Sequence, residues 1–134
     1  MLLHFDLLYI GQDPVIWELL QDIADKYGLT ILKIISTKDI DLIKDDLSFT
    51  VVLSELHLSY NYEGFTVEMA GLKYSYFAIL TDEITEDCIH VSSSLFNNQE
   101  KYLVLKNNHC IFAFLNTKPI NITSHHISKI PIEA

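Results

Sequence analysis

Seven residues stand at the ends of apolar runs, where side-chain chemistry would be presented together. Gly11, Gln12 and Asp13 follow FDLLYI, Ser54 and Glu55 follow FTVVL, Thr81 follows YFAIL, and Lys118 comes shortly after CIFAFL. Carboxylates at Asp13 and Glu55 can accept charge-assisted hydrogen bonds or pair with a cation, and a lysine can neutralise one. Plainer roles are open to the same residues. Asp13 before Pro14 is a good helix N-cap, Thr81 can open the turn Thr-Asp-Glu, and Lys118 before Pro119 suits a loop. Two further sets offer other chemistry. Asp46, Glu55 and His57 supply the acids and imidazole of a small metal-dependent hydrolase or nuclease, but no lysine follows Glu55 at the needed spacing. Cys88 and His90, with His109 and Cys110, offer two sulfurs and two imidazoles but lack the repeated short spacing of a zinc site. His125 and His126 read as an exposed tail, and Tyr60 and Tyr62 in a polar stretch read as contact anchors for a protein partner.

The elements that would position these residues alternate between strand and helix. Phe5 to Ile10 reads as a strand buried on both faces. Asp13-Pro14 opens a helix whose Ile16, Leu19, Leu20, Ile23 and Tyr27 recur at helical spacing, flanked by Trp17 and stopped by Gly28. Leu29 to Ile35 is a second strand. Ser36 or Thr37 caps a short helix carrying Ile40, Leu42 and Ile43, which ends in Lys44-Asp45-Asp46. Phe49 to Leu53 is the third strand and Tyr76 to Leu80 the fourth, with a short apolar segment around Phe65 to Leu72 between them. Cys110 to Leu115 is the expected fifth. Between Glu83 and Asn108 the pattern is atypical. A helix over Gln99 to Lys106 is expected there; the alternative is a hairpin pairing Tyr102 to Leu105 with Cys110 to Leu115. The implied architecture is α/β: a doubly wound, mostly parallel five-stranded sheet with helices on both faces. Functional groups of such sheets gather at the carboxyl ends of the strands, which selects the seven residues above.

The chain has 134 residues, a length expected to make the single domain 1–134, and 49% of them are hydrophobic. That composition excludes disorder and low complexity. Two cysteines are too few for a disulfide framework, and no apolar stretch is long enough to span a membrane. A reducing, cytoplasmic setting is expected. Eighteen acids face nine basic residues for a net charge of −9, and every basic residue is a lysine. Without arginine's planar fork and with a repelling field, the chain is a poor candidate for direct nucleic-acid, anionic-membrane or nucleotide-phosphate binding.

The fragments LLYIGQDP, FTVVLSELHLSYNYEGF, YFAILTDE and FLNTKPI, in that order, resemble the receiver domains of bacterial response regulators. The resemblance implies a flavodoxin-like topology with acids after the first strand holding Mg²⁺ and a phosphoacceptor aspartate ending the third. It also implies a hydroxyl ending the fourth strand and a lysine before proline after the fifth. Carried over, the metal-holding acids fall on Gly11 and Gln12, the acceptor on Glu55, the hydroxyl on Thr81 and the lysine on Lys118. Gly64 takes the place of a glycine that follows the acceptor. Glycine offers a cation no side-chain oxygen and glutamine only a neutral one. Glutamate reaches one methylene further than the acceptor aspartate. Leu115 stands three residues before Lys118, where the family places a switching aromatic. The stretch from Thr81 to Lys118 is longer than the family shows, and a short or irregular last helix is expected in the sixteen residues after Lys118.

These departures imply a degenerate receiver: a non-enzymatic signalling module, independent of phosphorylation, with no cofactor and no metal. Its expected partner is a protein (a kinase, an output domain or another regulator) or a second copy of itself. A Glu55–Lys118 pair would lock it in one state. The alternative keeps phosphotransfer on an unorthodox acceptor, Asp13, Ser54 or Glu55.

Overall fold

Nearly unbroken apolar runs such as LLYI and TVVL have no polar face to offer water, so they must be covered on both sides, the condition of strands in a parallel sheet. A computed structural model, describing residues 2–55, 71–83 and 102–117, meets that condition. Strands β1 (Leu3–Ile10), β2 (Ile31–Ile34), β3 (Leu47–Glu55), β4 (Lys73–Thr81) and β5 (Tyr102–Leu105) form one sheet in the order β2-β1-β3-β4-β5. All four neighbouring pairs are parallel. This is one of the common doubly wound orders, reversing at β1 and β3.

The first crossover is helix α1 (Pro14–Tyr27). Asp13 caps it as expected, its Oδ1 accepting the N–H groups of Val15 at 2.9 Å and Ile16 at 3.3 Å. Such a cap contributes about 1 kcal/mol. Ile16, Leu20, Ile23, Ala24 and Tyr27 are buried, and Gly28 ends the helix in the left-handed region at φ 71°. The second crossover is slight: a 3-10 turn over Thr37–Asp39 and helix α2 (Ile40–Ile43). Ile40 is wholly buried, whereas Leu42 of the same short helix is 77% exposed.

Two apolar clusters flank the sheet. Leu7 and Tyr9 of β1, Val51 and Leu53 of β3, Ala78 and Leu80 of β4 and Val104 of β5 pack with α1 and with helix α3 (Asn108–Asn116). Leu8, Ile10, Ile34, Val52, Phe77 and Ile79 pack with Ile40. Each wholly buried leucine or isoleucine contributes about 1.5–3 kcal/mol.

The fifth strand is not where the run CIFAFL suggested. Cys110 to Leu115 lies in α3, and β5 is the preceding Tyr102–Leu105. Asn107 decides the matter: its Oδ1 accepts the Cys110 N–H at 2.8 Å and starts a helix. Ile111, Phe114 and Leu115 are then buried at helical spacing. Over Tyr102–Leu105 the expected helix is therefore replaced by strand. The hairpin alternative fails as well, because β5 pairs parallel with β4. Lys118 lies outside the described residues, as do Tyr60, Tyr62, Gly64, Cys88, His90, His125 and His126. Among the described residues no helix is long and apolar enough to cross a membrane.

Candidate functional site

Parallel strands all end on the same edge, so the residues just beyond β1, β3, β4 and β5 are brought together. Ile10 pairs with Ser54, which sets Gly11 level with Glu55. Leu105 pairs with Thr81, and the ladder runs one step further as Lys106 donates its N–H to the Thr81 carbonyl at 2.8 Å. Lys106 is thus the lysine that follows the last strand, and it stands in the place expected of Lys118. Lys118 itself lies outside the described residues; Lys106 follows Thr81 at a shorter interval because β5 lies earlier in the chain than expected.

Glu55 is 6% exposed. Lys106 Nζ lies 3.0 Å from its Oε1, and the Gln12 N–H reaches its Oε2 at 3.4 Å. Oε1 has no aligned hydrogen-bond donor, so the pair is held by charge more than by hydrogen-bond geometry. The ammonium also lies 3.9 Å from Asp13 Oδ2 and 4.0 Å from Asp82 Oδ1. Asp82 is mostly in solvent, and its attraction is screened accordingly. Three carboxylates therefore share one ammonium, and the Glu55 contact is the closest and the most buried.

Tyr9 is the second residue that sequence reasoning missed. Read in the sequence it is one more apolar strand residue. In the fold it is wholly buried beneath the site, its ring stacked on Trp17 at 6.2 Å. Its hydroxyl accepts the Asp13 N–H at 3.1 Å, and the negative charge of Glu55 acts on it. Burial pushes that hydroxyl's pKa far above the tyrosine range; the bond to the Asp13 backbone opposes the rise, and the Glu55 charge adds to it.

The remaining expected residues are placed as follows. Ser54 is buried and donates to the carbonyl of Glu55 at 3.2 Å. Thr81 closes a turn, its Oγ1 donating to the Glu83 carbonyl at 2.9 Å and accepting the Glu83 N–H at 3.4 Å. Gln12 turns its amide nitrogen to the Ile35 carbonyl at 3.5 Å. The residue three positions before Lys106 is Leu103, again not an aromatic. The hydrolase set separates: Asp46 and Glu55 flank opposite ends of β3, roughly 30 Å apart at strand rise, and His57 lies outside the described residues.

The divalent cation implied by the receiver resemblance does not fit these donors. Gly11 has no side-chain oxygen, Asp13 Oδ1 is engaged as the helix cap, and Glu55 is paired with Lys106. Among the described residues no three His, Cys, Asp or Glu side chains are grouped to hold a metal.

Solved structures carry the same fold. A two-component system response regulator/GGDEF domain protein superposes with a TM-score of 0.60 at 24% identity, over 84% of this chain and 45% of that one. The receiver domain of a sensor histidine kinase from Pseudomonas aeruginosa, with magnesium in its active-site cleft, superposes with a TM-score of 0.60 at 11% identity, over 87% of this chain and 98% of that one. This chain thus spans less than half of the first structure's length. No protein-family model and no curated protein matches the chain. The fold is the receiver fold.

Proposed function

We propose that this domain is a phosphorylation-independent, receiver-like signalling module that acts by binding another protein. One observation carries the reading: the Lys106 ammonium 3.0 Å from the buried Glu55 carboxylate, at the edge where a receiver takes up its phosphoryl group. In a phosphorylated receiver a lysine at this place meets a phosphoryl oxygen. Here a carboxylate already supplies the negative charge, so the contact needs no phosphodonor. The Pseudomonas aeruginosa neighbour holds magnesium in its cleft. A transferring phosphoryl group needs such a cation to neutralise its charge, and the donors here do not suit one. The domain is accordingly non-enzymatic and needs no cofactor.

The acidic, arginine-free composition favours a protein partner with a basic surface, or a second copy docked through another face, over nucleic acid or an anionic membrane. Intact-protein mass spectrometry after incubation with acetyl phosphate and Mg²⁺ tests the reading. The expected spectrum shows no phosphoryl adduct. A stable, Mg²⁺-dependent adduct on Glu55, Asp13 or Ser54 would overturn it in favour of an unorthodox phosphoacceptor.

A further inference from the structure

Alternation along β1 sends Leu7 and Tyr9 to the face that α1 and α3 cover, and position 11, one step beyond the strand, aims the same way. Gly11 is there for space rather than for backbone freedom: unlike Gly28 and Gly71, it does not take up a positive φ. A Cβ at this position would sit 2.6 Å from Tyr9 Oη, 2.7 Å from Tyr9 Cζ and 2.8 Å from Glu55 Oε2. Side chains do not tolerate such contacts, so one group would have to move. The Glu55 carboxylate ends a flexible chain and can turn. The phenol cannot follow cheaply, because its ring is wholly buried, stacked on Trp17 and bonded to the Asp13 N–H.

Resting on the reading above that the module works without a cation, we propose that Tyr9 and Gly11 form a matched pair that closes the receiver's metal seat from within. The phenol takes the volume a carboxylate at position 11 would need. Its hydroxyl holds the Asp13 N–H and, with the Glu55 carboxylate, closes over the space beside position 11. Tyr9 is a positioning residue in this scheme, and the loss of metal-binding acids is a gain of packing. Restoring acids alone will not restore the seat, because the phenol stands in the way. The seat opens only when the tyrosine is removed as well.

The test measures Mn²⁺ binding by titration calorimetry to four proteins: wild type, Tyr9→Leu, G11D/Q12D and Y9L/G11D/Q12D. The triple variant is expected to bind Mn²⁺ at least tenfold more tightly than each of the others. Equal affinities for G11D/Q12D and the triple variant, or no gain in either, would overturn the proposal. A thermal-melting cycle tests the packing without any metal. Gly11→Ala is expected to lower Tm by several degrees in wild type and by less than half as much beside Tyr9→Leu. Equal losses in both backgrounds would also overturn the proposal. Phosphoryl uptake by the wild-type protein bears on the signalling reading alone, so the two failures are distinguishable.

Discussion

Lys106 and Glu55 meet at 3.0 Å across the carboxyl edge of the sheet, one just past β5 and the other closing β3. Between those strands lies β4, so the long lysine side chain spans a full strand to reach the carboxylate. The pair joins the centre of the sheet to its margin.

Removing one partner should cost more than removing both. Lys106→Met leaves a buried carboxylate without its cation, and a loss of about 3 kcal/mol is expected in urea unfolding. Adding Glu55→Gln to Lys106→Met should recover part of that loss. If the double variant is as unstable as the sum of the two single variants, the pair is not coupled.

Asp13 contributes mainly as a cap. Asp13→Ala should cost about 1 kcal/mol, because the Val15 and Ile16 N–H groups lose their acceptor. Asp13→Asn keeps an acceptor and should cost only a few tenths of that. Circular dichroism melts of the two variants distinguish the cap from the charge, since asparagine retains the first and not the second.

Alkaline pH should unfold the domain earlier than its composition suggests. Tyrosine ionises at an ordinary 10.0, and burial holds Tyr9 and Tyr74 above that value. Above pH 10 the unfolded chain releases protons that the folded chain keeps, so stability falls as pH rises. The contribution is intact below that pH. Tyr9→Phe should flatten this limb of the stability curve, and Tyr74→Phe should flatten it less. Equilibrium unfolding between about pH 9 and 11, roughly one pK unit either side of the ordinary tyrosine value, measures the slopes.

Gly28 ends α1 in the left-handed region, where a side chain meets its own carbonyl. Gly28→Ala is expected to cost about 1–2 kcal/mol. The same change at Gly11 should also destabilise, but through crowding against Tyr9, and only Gly11 should be rescued by shrinking the tyrosine. Denaturant midpoints for the two alanine variants make the comparison.

Much of this molecule was legible in its residues. The apolar runs of β1, β3 and β4 are long and bounded by turn residues, and Asp13-Pro14 and Gly28 bracket α1 with unambiguous caps. Local signals of that strength placed Gly11, Gln12, Asp13, Glu55 and Thr81 on one edge before any pairing was known. The last strand was not legible in the same way. Tyr102–Leu105 is four residues long and, among the described residues, pairs with β4 alone, so it shows neither a full alternation nor a long buried run. CIFAFL is apolar throughout, and an unbroken run of that length suits a buried strand and a buried helix equally.

What separated them was the local cap at Asn107 acting together with contact between distant parts of the chain. The Asn107 cap draws Ile111, Phe114 and Leu115 onto the sheet face that α1 already shares, and the Thr81 carbonyl takes up the Lys106 N–H. Lys106 was thereby brought to Glu55. The role of Tyr9 was decided in the same way. Its ring belongs to the core by composition and its hydroxyl takes the nearby Asp13 N–H, but it meets the Glu55 charge only because parallel register sets the ends of β1 and β3 side by side. Hydrophobic runs and caps act over a few residues, so the chain's own order of residues specifies which side chains end the central strands. Tertiary structure alone decided which lysine and which phenol meet them, because strand order and register are set by burial across the whole sheet.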